Sequence, residues 1–239
     1  MASKDPFPPS GHMRHHGDPA SSEAIEDYLK AIYALARRGP GPVTNGALAD
    51  RLGVTPATAT SMLKRLDAIG LVRRQPYKGV RLTADGERAA LEVIRHHRLL
   101  ESYLSEALGM PWDRVHAEAE LLEHYISEEL EELIADKLGN PSRDPHGDPI
   151  PGPDLAPPGE EGRPLDELEP GKSATFSRVS DSDPAMLRYL EQRGITPGVP
   201  LSVVSRQPFG GPIFVSVGGE EHALGGELVK RIIVSERPR

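Results

Sequence analysis

The sequence predicts a mainly α protein closed by a small β domain, and three observations carry that expectation. Helical periodicity runs with few breaks from Ser22 to about Leu138. A Pro-rich stretch follows, with nine prolines between Pro141 and Pro170. Beyond it the pattern changes to short β-type runs separated by Gly and Pro. At 239 residues the chain is long enough for two or three small domains with real cores. The expected division is a disordered tail over 1–21, a helix–helix–hairpin domain over 22–86 and a helical domain over 87–153. A Pro-rich linker over 154–169 and a small barrel over 170–239 complete it.

Composition removes several function classes. There is no cysteine, which excludes disulfides, thiolate metal sites and cysteine nucleophiles. No stretch approaches 18 apolar residues and no N-terminal signal pattern is visible, so no membrane partner and a cytoplasmic location are expected. The net charge of −8 would by itself argue against nucleic acid, but its distribution does not. Residues 37–82 carry nine Lys/Arg against two Asp, whereas 118–136 carry eight acidic residues and no Lys or Arg. One segment suits phosphates and the other suits cations.

Residues 1–21 are rich in Pro, Gly, Ser and His and show no periodicity, and Gly11-His12-Met13 resembles a cloning scar. From Ser22, the residues Ile25, Leu29, Ile32, Tyr33 and Leu35 make one apolar stripe that ends at Gly39-Pro40-Gly41-Pro42. A short helix through Ala47, Leu48 and Leu52 stops at Gly53. Thr55 then caps a second helix with Pro56 at its first position, where a missing N–H is harmless. Met62, Leu63, Leu66 and Ile69 form its buried side. Ala57, Thr58, Thr60, Ser61, Lys64 and Arg65 face outward, small and polar groups that fit base edges and phosphates. Two such helices match a helix-turn-helix. The run LVRRQPYKGVRLT alternates like a hairpin turning at Lys78-Gly79, and its Arg73, Arg74, Lys78 and Arg81 make a basic wing. A winged helix-turn-helix that binds double-stranded DNA is the expectation.

Thr83 caps a long helix to about Leu108 that carries His97 and Glu101 four residues apart, hence on one face. After Gly109-Met110-Pro111-Trp112, a second helix is expected from Trp112 to about Leu138. On it His116, Glu120, Glu123, His124 and Ser127 share one face. Burying imidazoles and carboxylates without compensation costs several kcal/mol each, which a divalent cation offsets. A metal site outweighs the alternative of a solvated acidic face. The apolar surface left over, from Leu121 to Ile134, predicts a homodimer. In the C-terminal part, Ala174–Val179, Pro200–Arg206, Gly211–Val217 and Leu228–Val234 read as strands, with a helix capped by Asp183 between the first two.

Taken together, a winged helix, HRLLE at 97–101, VHAEAELLEH at 115–124 and DPHGDPIPG at 144–152 resemble the diphtheria toxin repressor family of metal-dependent transcription regulators. The resemblance covers nearly all of the chain after the tail. It implies a homodimeric repressor of metal-uptake genes, not an enzyme, whose metal orders the dimer for its operator. It also implies a C-terminal SH3-like domain related to a ferrous-transport accessory protein. Carried over residue by residue, the primary metal site falls on Asp27, Glu120, Glu123 and His124. The ancillary site falls on His97, Glu101 and His116. Its ligands from the barrel are not matched, since the family's positions fall on Ser182 and Ala185, and Asp181 or Asp183 would have to substitute. Asp27 and Glu120 match the manganese-responsive branch, where the iron-responsive branch has Met and Cys. Carboxylates with one imidazole suit manganese(II), although iron(II) can occupy the same donors. Lys30 stands where a second carboxylate completes a two-metal cluster in the compact manganese branch, so separate ions are expected. The competing readings are an iron(II)-responsive regulator, a metal-dependent hydrolase, and a winged-helix regulator gated by an organic ligand.

Overall fold

The computed structural model describes residues 22–75, 78–159, 162–180 and 183–236. The expected tail, 1–21, lies outside the described residues. The chain divides into two compact units at Glu87/Arg88.

The first unit holds α1 (Ser22–Ala36), α2 (Asn45–Leu52), α3 (Pro56–Ala68), β1 (Val72–Gln75) and β2 (Gly79–Leu82). Its local signals act as expected. Thr44 caps α2 by accepting from the Ala47 N–H, and α2 ends at Gly53 with φ 65°, a left-handed conformation that suits glycine. Thr55 caps α3, with Pro56 at its start. The wing is an antiparallel pair with Arg73 opposite Arg81 and Gln75 opposite Gly79. Gly79 has φ +123°, and a Cβ there would lie 2.2 Å from the Val43 carbonyl oxygen. Only glycine lets the wing approach the strand-like residues before α2. Leu29, Ile32, Leu48, Leu63, Leu66, Val72 and Val80 are all buried and supply the unit's core.

α4 (Ala84–Glu106) begins at the unit boundary, its first turn held by Thr83 Oγ1, which accepts from the Gly86 N–H. The second unit continues with α5 (Val115–Leu122) and α6 (Glu128–Lys137). The single helix expected from Trp112 to Leu138 is therefore two. α5 ends at Glu123, residues 123–125 turn, and Ser127 accepts from the Leu130 N–H as N-cap of α6. Three acidic residues in the first turn of α6 complement its dipole. Ser127 thus starts a helix rather than completing a ligand face. Leu99, Leu100, Leu104, Val115, Ala119, Ile134, Ala135 and Ile150 form the helical core.

The C-terminal sheet comprises β3 (Arg163–Pro164), β4 (Ser173–Val179), β5 (Pro200–Arg206), β6 (Ile213–Val217), β7 (Glu220–Leu224) and β8 (Ile232–Ser235). Its order is β3-β8-β4-β5-β6-β7, every pairing antiparallel. The ends of that order, β3 and β7, do not pair, so the sheet is open where a closed barrel was expected. β7 carries Glu220, Glu221 and His222 and escaped a reading based on apolar runs. The strand expected over Leu228–Val234 is a short helix, α8 (Gly226–Arg231), running into β8. α7 (Pro184–Glu191) lies between β4 and β5. Leu165 and Leu168, within the stretch read as linker, are fully buried in the core with Phe176, Leu187 and Val215. Trp112, from the helical part, is buried in that same core.

Candidate metal centre and nucleic-acid interface

One face of α4 presents Ile94, His97, Leu100, Glu101 and Leu104 to the interior, all buried. Helical spacing therefore carries His97 and Glu101 inside along with the leucines. Glu101 Oε1 lies 3.0 Å from His97 Nε2 and 3.2 Å from His116 Nδ1 of α5. The two imidazoles meet edge-on, with centroids 4.9 Å apart. On its other nitrogen, His97 Nδ1 is 2.5 Å from Glu123 Oε2. Glu120 stands closer to solvent, 3.8 Å from His97 Nδ1 and 3.9 Å from His116 Nε2. His124 Nε2 is 3.7 Å from Glu123 Oε1. His97, His116 and Glu120 each place one donor atom within 4.8 Å of the others. Every ligand expected on α4, α5 and the turn after α5 is therefore in one neighbourhood of the second unit. Asp27 sits half-buried on α1 in the first unit.

The structure adds two residues that sequence reasoning passed over. Asp144 and His146, from the turn after α6, join Glu101 in a second group whose donor atoms also lie within 4.8 Å of one another. All three are buried. His146 Nδ1 is 3.6 Å from Glu101 Oε2, an oxygen that is fully buried and takes no hydrogen bond. Asp144 Oδ1 accepts from the N–H groups of His146 and Asp148, which shapes the turn. The signal in the sequence was a D-x-H pair inside DPHGDPIPG, a Pro- and Gly-rich motif that reads as a turn with no ligand role for either residue. Of the substitutes expected from the C-terminal part, Asp181 lies outside the described residues. Asp183 Oδ1 accepts from the Ala185 and Met186 N–H groups, so that carboxylate is the N-cap of α7 rather than part of either group.

The electrostatics of the second group suit a cation. Burial alone would raise the Glu101 carboxyl, but the charge of His97 and the approach of the His116, His146 and His97 imidazoles hold it well below the usual carboxylate range. Asp144 goes the other way. Burial, then the charges of Glu101 and Asp148, push it well above that range against the pull of Arg98 and His146. Two buried acids that repel, one with an oxygen lacking a hydrogen bond, are what a divalent ion relieves. Oxygen and imidazole donors without sulfur fit manganese(II) or iron(II).

In the first unit, α3 and the wing present the expected polar surface. Ala57, Ser61, Lys64, Arg73, Arg74 and Lys78 are exposed, and Thr58 and Arg65 are half-buried. Two of the predicted hydroxyls hold the motif together instead. Thr55 Oγ1 caps α3 and shares a 2.8 Å hydrogen bond with Thr58 Oγ1. Thr60 Oγ1 donates to the Pro56 carbonyl and accepts from Asn45 Nδ2, joining α3 to α2. Arg81 donates to the Pro40 carbonyl, which braces the wing. A concavity of about 720 Å³ between α2, α3 and the wing is lined by Asn45, Asp67, Arg74 and Lys78 among others.

A basic winged helix in one unit and a buried carboxylate–imidazole cluster in the other define a class of two-part, metal-site-bearing proteins. Comparison with known proteins gives the family. Residues 21–80 match the iron-dependent repressor N-terminal DNA-binding domain. Residues 83–152 match that family's metal-binding and dimerisation domain, and 163–236 match the FeoA domain. The iron-dependent repressor IdeR of Mycobacterium leprae (strain TN) is 31% identical over 227 residues, covering 90% of this chain and 97% of that protein. The diphtheria toxin repressor of Corynebacterium glutamicum is 27% identical, covering 90% and 96%. Among solved structures, a manganese-dependent transcriptional repressor in complex with manganese superposes with a TM-score of 0.83 at 42% identity, covering 89% of this chain and all of that one. ScaR with bound cadmium superposes at 0.76 with 30% identity, covering 89% and 99%. The chain belongs to the diphtheria toxin repressor family of iron-dependent repressors.

Proposed function

We propose that this chain is a manganese(II)-dependent, DNA-binding transcriptional repressor of metal-uptake genes that acts as a homodimer. The observation that carries the reading is the buried cluster of carboxylates and imidazoles, free of sulfur donors, on the same polypeptide as a basic winged helix. Glu120, Glu123 and His124 form the primary site with Asp27 of α1. Because Asp27 belongs to the DNA-binding unit, a metal held by all four restrains that unit, and metal and operator favour each other by the same factor. His97, Glu101 and His116 serve an ancillary site, to which Asp144 and His146 contribute on the far side of Glu101. The bound ion supplies positive charge and a fixed coordination geometry; the protein's residues supply the rest.

Thr58 and Ser61 touch base edges, while Arg73, Arg74, Lys64 and Lys78 contact phosphates. Two-fold symmetry places two such units on successive half-sites. Support for the homodimer comes from the surface of the helical part. Leu121, Tyr125, Leu130 and Leu133 are exposed, and a groove of about 410 Å³ runs between α4 and α6. Such exposed apolar surface marks an interface. The C-terminal domain belongs with the SH3-like class despite its open sheet, supported by the FeoA match. No described helix is long and apolar enough to cross a membrane, and the repressor works in the cytoplasm, where its operator is.

Iron(II) is the second reading, favoured by the name of the mycobacterial relatives, iron-dependent repressor IdeR. Recovery of genomic fragments by the purified protein separates them. Fragments held with manganese(II) but not with chelator establish the sensor and name the operator. Retention under anaerobic iron(II) alone gives the iron reading. Equal recovery in chelator removes metal as the switch.

A further inference from the structure

We propose that Trp112 is a positioning residue for the Glu101–Asp144–His146 group, and that through it an ion at this group and the packing of the C-terminal sheet domain favour each other. The inference rests on the reading of that group as a cation site. Trp112 lies in the connection between α4 and α5, yet its side chain is buried in the sheet domain's apolar core with Leu187 and Leu190. Its carbonyl oxygen is 2.7 Å from His146 Nε2, and its ring stacks on the imidazole with centroids 5.7 Å apart and planes 22° apart. A carbonyl can only accept, so this contact puts the His146 proton on Nε2. Nδ1, which faces Glu101, is then the nitrogen that can ligate an ion. Partners of this kind, which set the tautomer and ring orientation of a ligand, typically change metal affinity 10–100-fold when altered.

The same two segments are clasped by the sheet domain. The His146 carbonyl accepts from the Val179 N–H of β4. Gly147, at φ +87°, lies so close to β4 that a Cβ would come 2.0 Å from the Ser177 oxygen. Arg178 pairs with Asp148 at 3.0 Å, and Arg188 of α7 pairs with Asp113, beside Trp112, at 2.6 Å. An ion drawing Asp144 and His146 toward Glu101 therefore stabilises the turn conformation that β4 packs against. Reciprocity requires that loosening this packing weaken the ion.

The test uses the full chain with manganese(II) as probe. Equilibrium dialysis counts bound ions, and limited proteolysis within the 153–159 segment reports domain packing. Trp112 is the chain's single tryptophan, so its fluorescence reports the position directly. Wild type should be protected by manganese and should change in fluorescence as the second ion binds. W112A keeps the carbonyl but loses the ring that holds the segment in the core, so it should need several-fold more manganese for that ion and lose protection, and W112F should recover both. R188A, at a half-exposed side chain that touches no donor, should weaken the second ion several-fold and leave the first unchanged. Normal second-ion affinity in W112A or R188A would overturn the coupling. If H146A loses no ion, the cation reading of the group fails instead; if it loses one while protection persists, only the coupling fails.

Discussion

Replacing Glu101 by Gln tests the metal reading at the centre of the cluster, because volume is kept while the charge is removed. In the metal-free protein two contacts to Glu101 Oε1, from His97 and His116, drop from charge-assisted to neutral. At about 1.5–3 kcal/mol for the former and about 0.5–1.5 for the latter, the loss is about 2 kcal/mol. The charge of Glu101 is also one of the causes that push Asp144 up, and its removal returns part of that loss. The metal-free Tm of E101Q is therefore expected to fall by a few degrees at most. The metal-dependent term is different. An ion present at 100 times its Kd stabilises the folded state by about 2.7 kcal/mol. For a unit of this size that is roughly 5–10 °C. Thermal unfolding of wild type and E101Q, each with chelator and with manganese(II), should show E101Q losing one ion's share of the shift. An equal manganese-induced shift in both proteins would refute the assignment of Glu101 as a ligand.

Four further outcomes are expected. D27A should keep its fold and still bind manganese at the ancillary residues, yet lose metal-dependent operator binding in a mobility-shift assay; an unchanged metal response would remove Asp27 from the primary site. K78A should weaken binding about equally across operator sequences and lower the salt slope of log K by roughly 1, whereas a change in sequence preference would place Lys78 at a base edge. L133E puts a charge on the exposed apolar face of α6 and should convert the dimer to monomer in sedimentation equilibrium; a persisting dimer would move the interface elsewhere. Tyr28 has a buried hydroxyl without a hydrogen bond, and burial pushes it up from its ordinary value. Its folded value then exceeds the unfolded one of about 10. The stability it contributes is thus present below pH of about 10 and lost as pH rises through the folded value. Y28F should flatten that alkaline loss and gain about 1 kcal/mol at neutral pH; denaturant melts across that range measure both.

How much was legible in the sequence differs by element. Thr55-Pro56, Gly53 and Lys78-Gly79 announced the winged helix because caps, helix starts and tight turns depend on a few residues adjacent in the chain. Helical spacing put His97 and Glu101 on one face of α4, since residues four apart on a helix share a face in any surroundings, and the structure brings that face against His116, Glu120 and Glu123. The break before α6 was missed, because periodicity continues through Glu123-His124-Tyr125-Ile126 while Ser127 acts as a cap only once the chain has turned. β7 was missed for a related reason: Glu220, Glu221 and His222 form an edge strand whose stability comes from β6 and not from its own apolarity.

What the sequence determined by itself, then, is local chemistry: which segments start and stop as helices, where positive charge collects, and that a chain without cysteine offers carboxylates and imidazoles at its candidate metal site. Only the tertiary structure decided that Asp144 and His146 stand against Glu101, more than forty residues away. It alone placed Trp112 in the core of a domain whose first strand begins some fifty residues later, and left the sheet open between β3 and β7. Each of these depends on backbone segments brought together by burial, a driving force that is non-directional and leaves no periodic mark in the residues it joins.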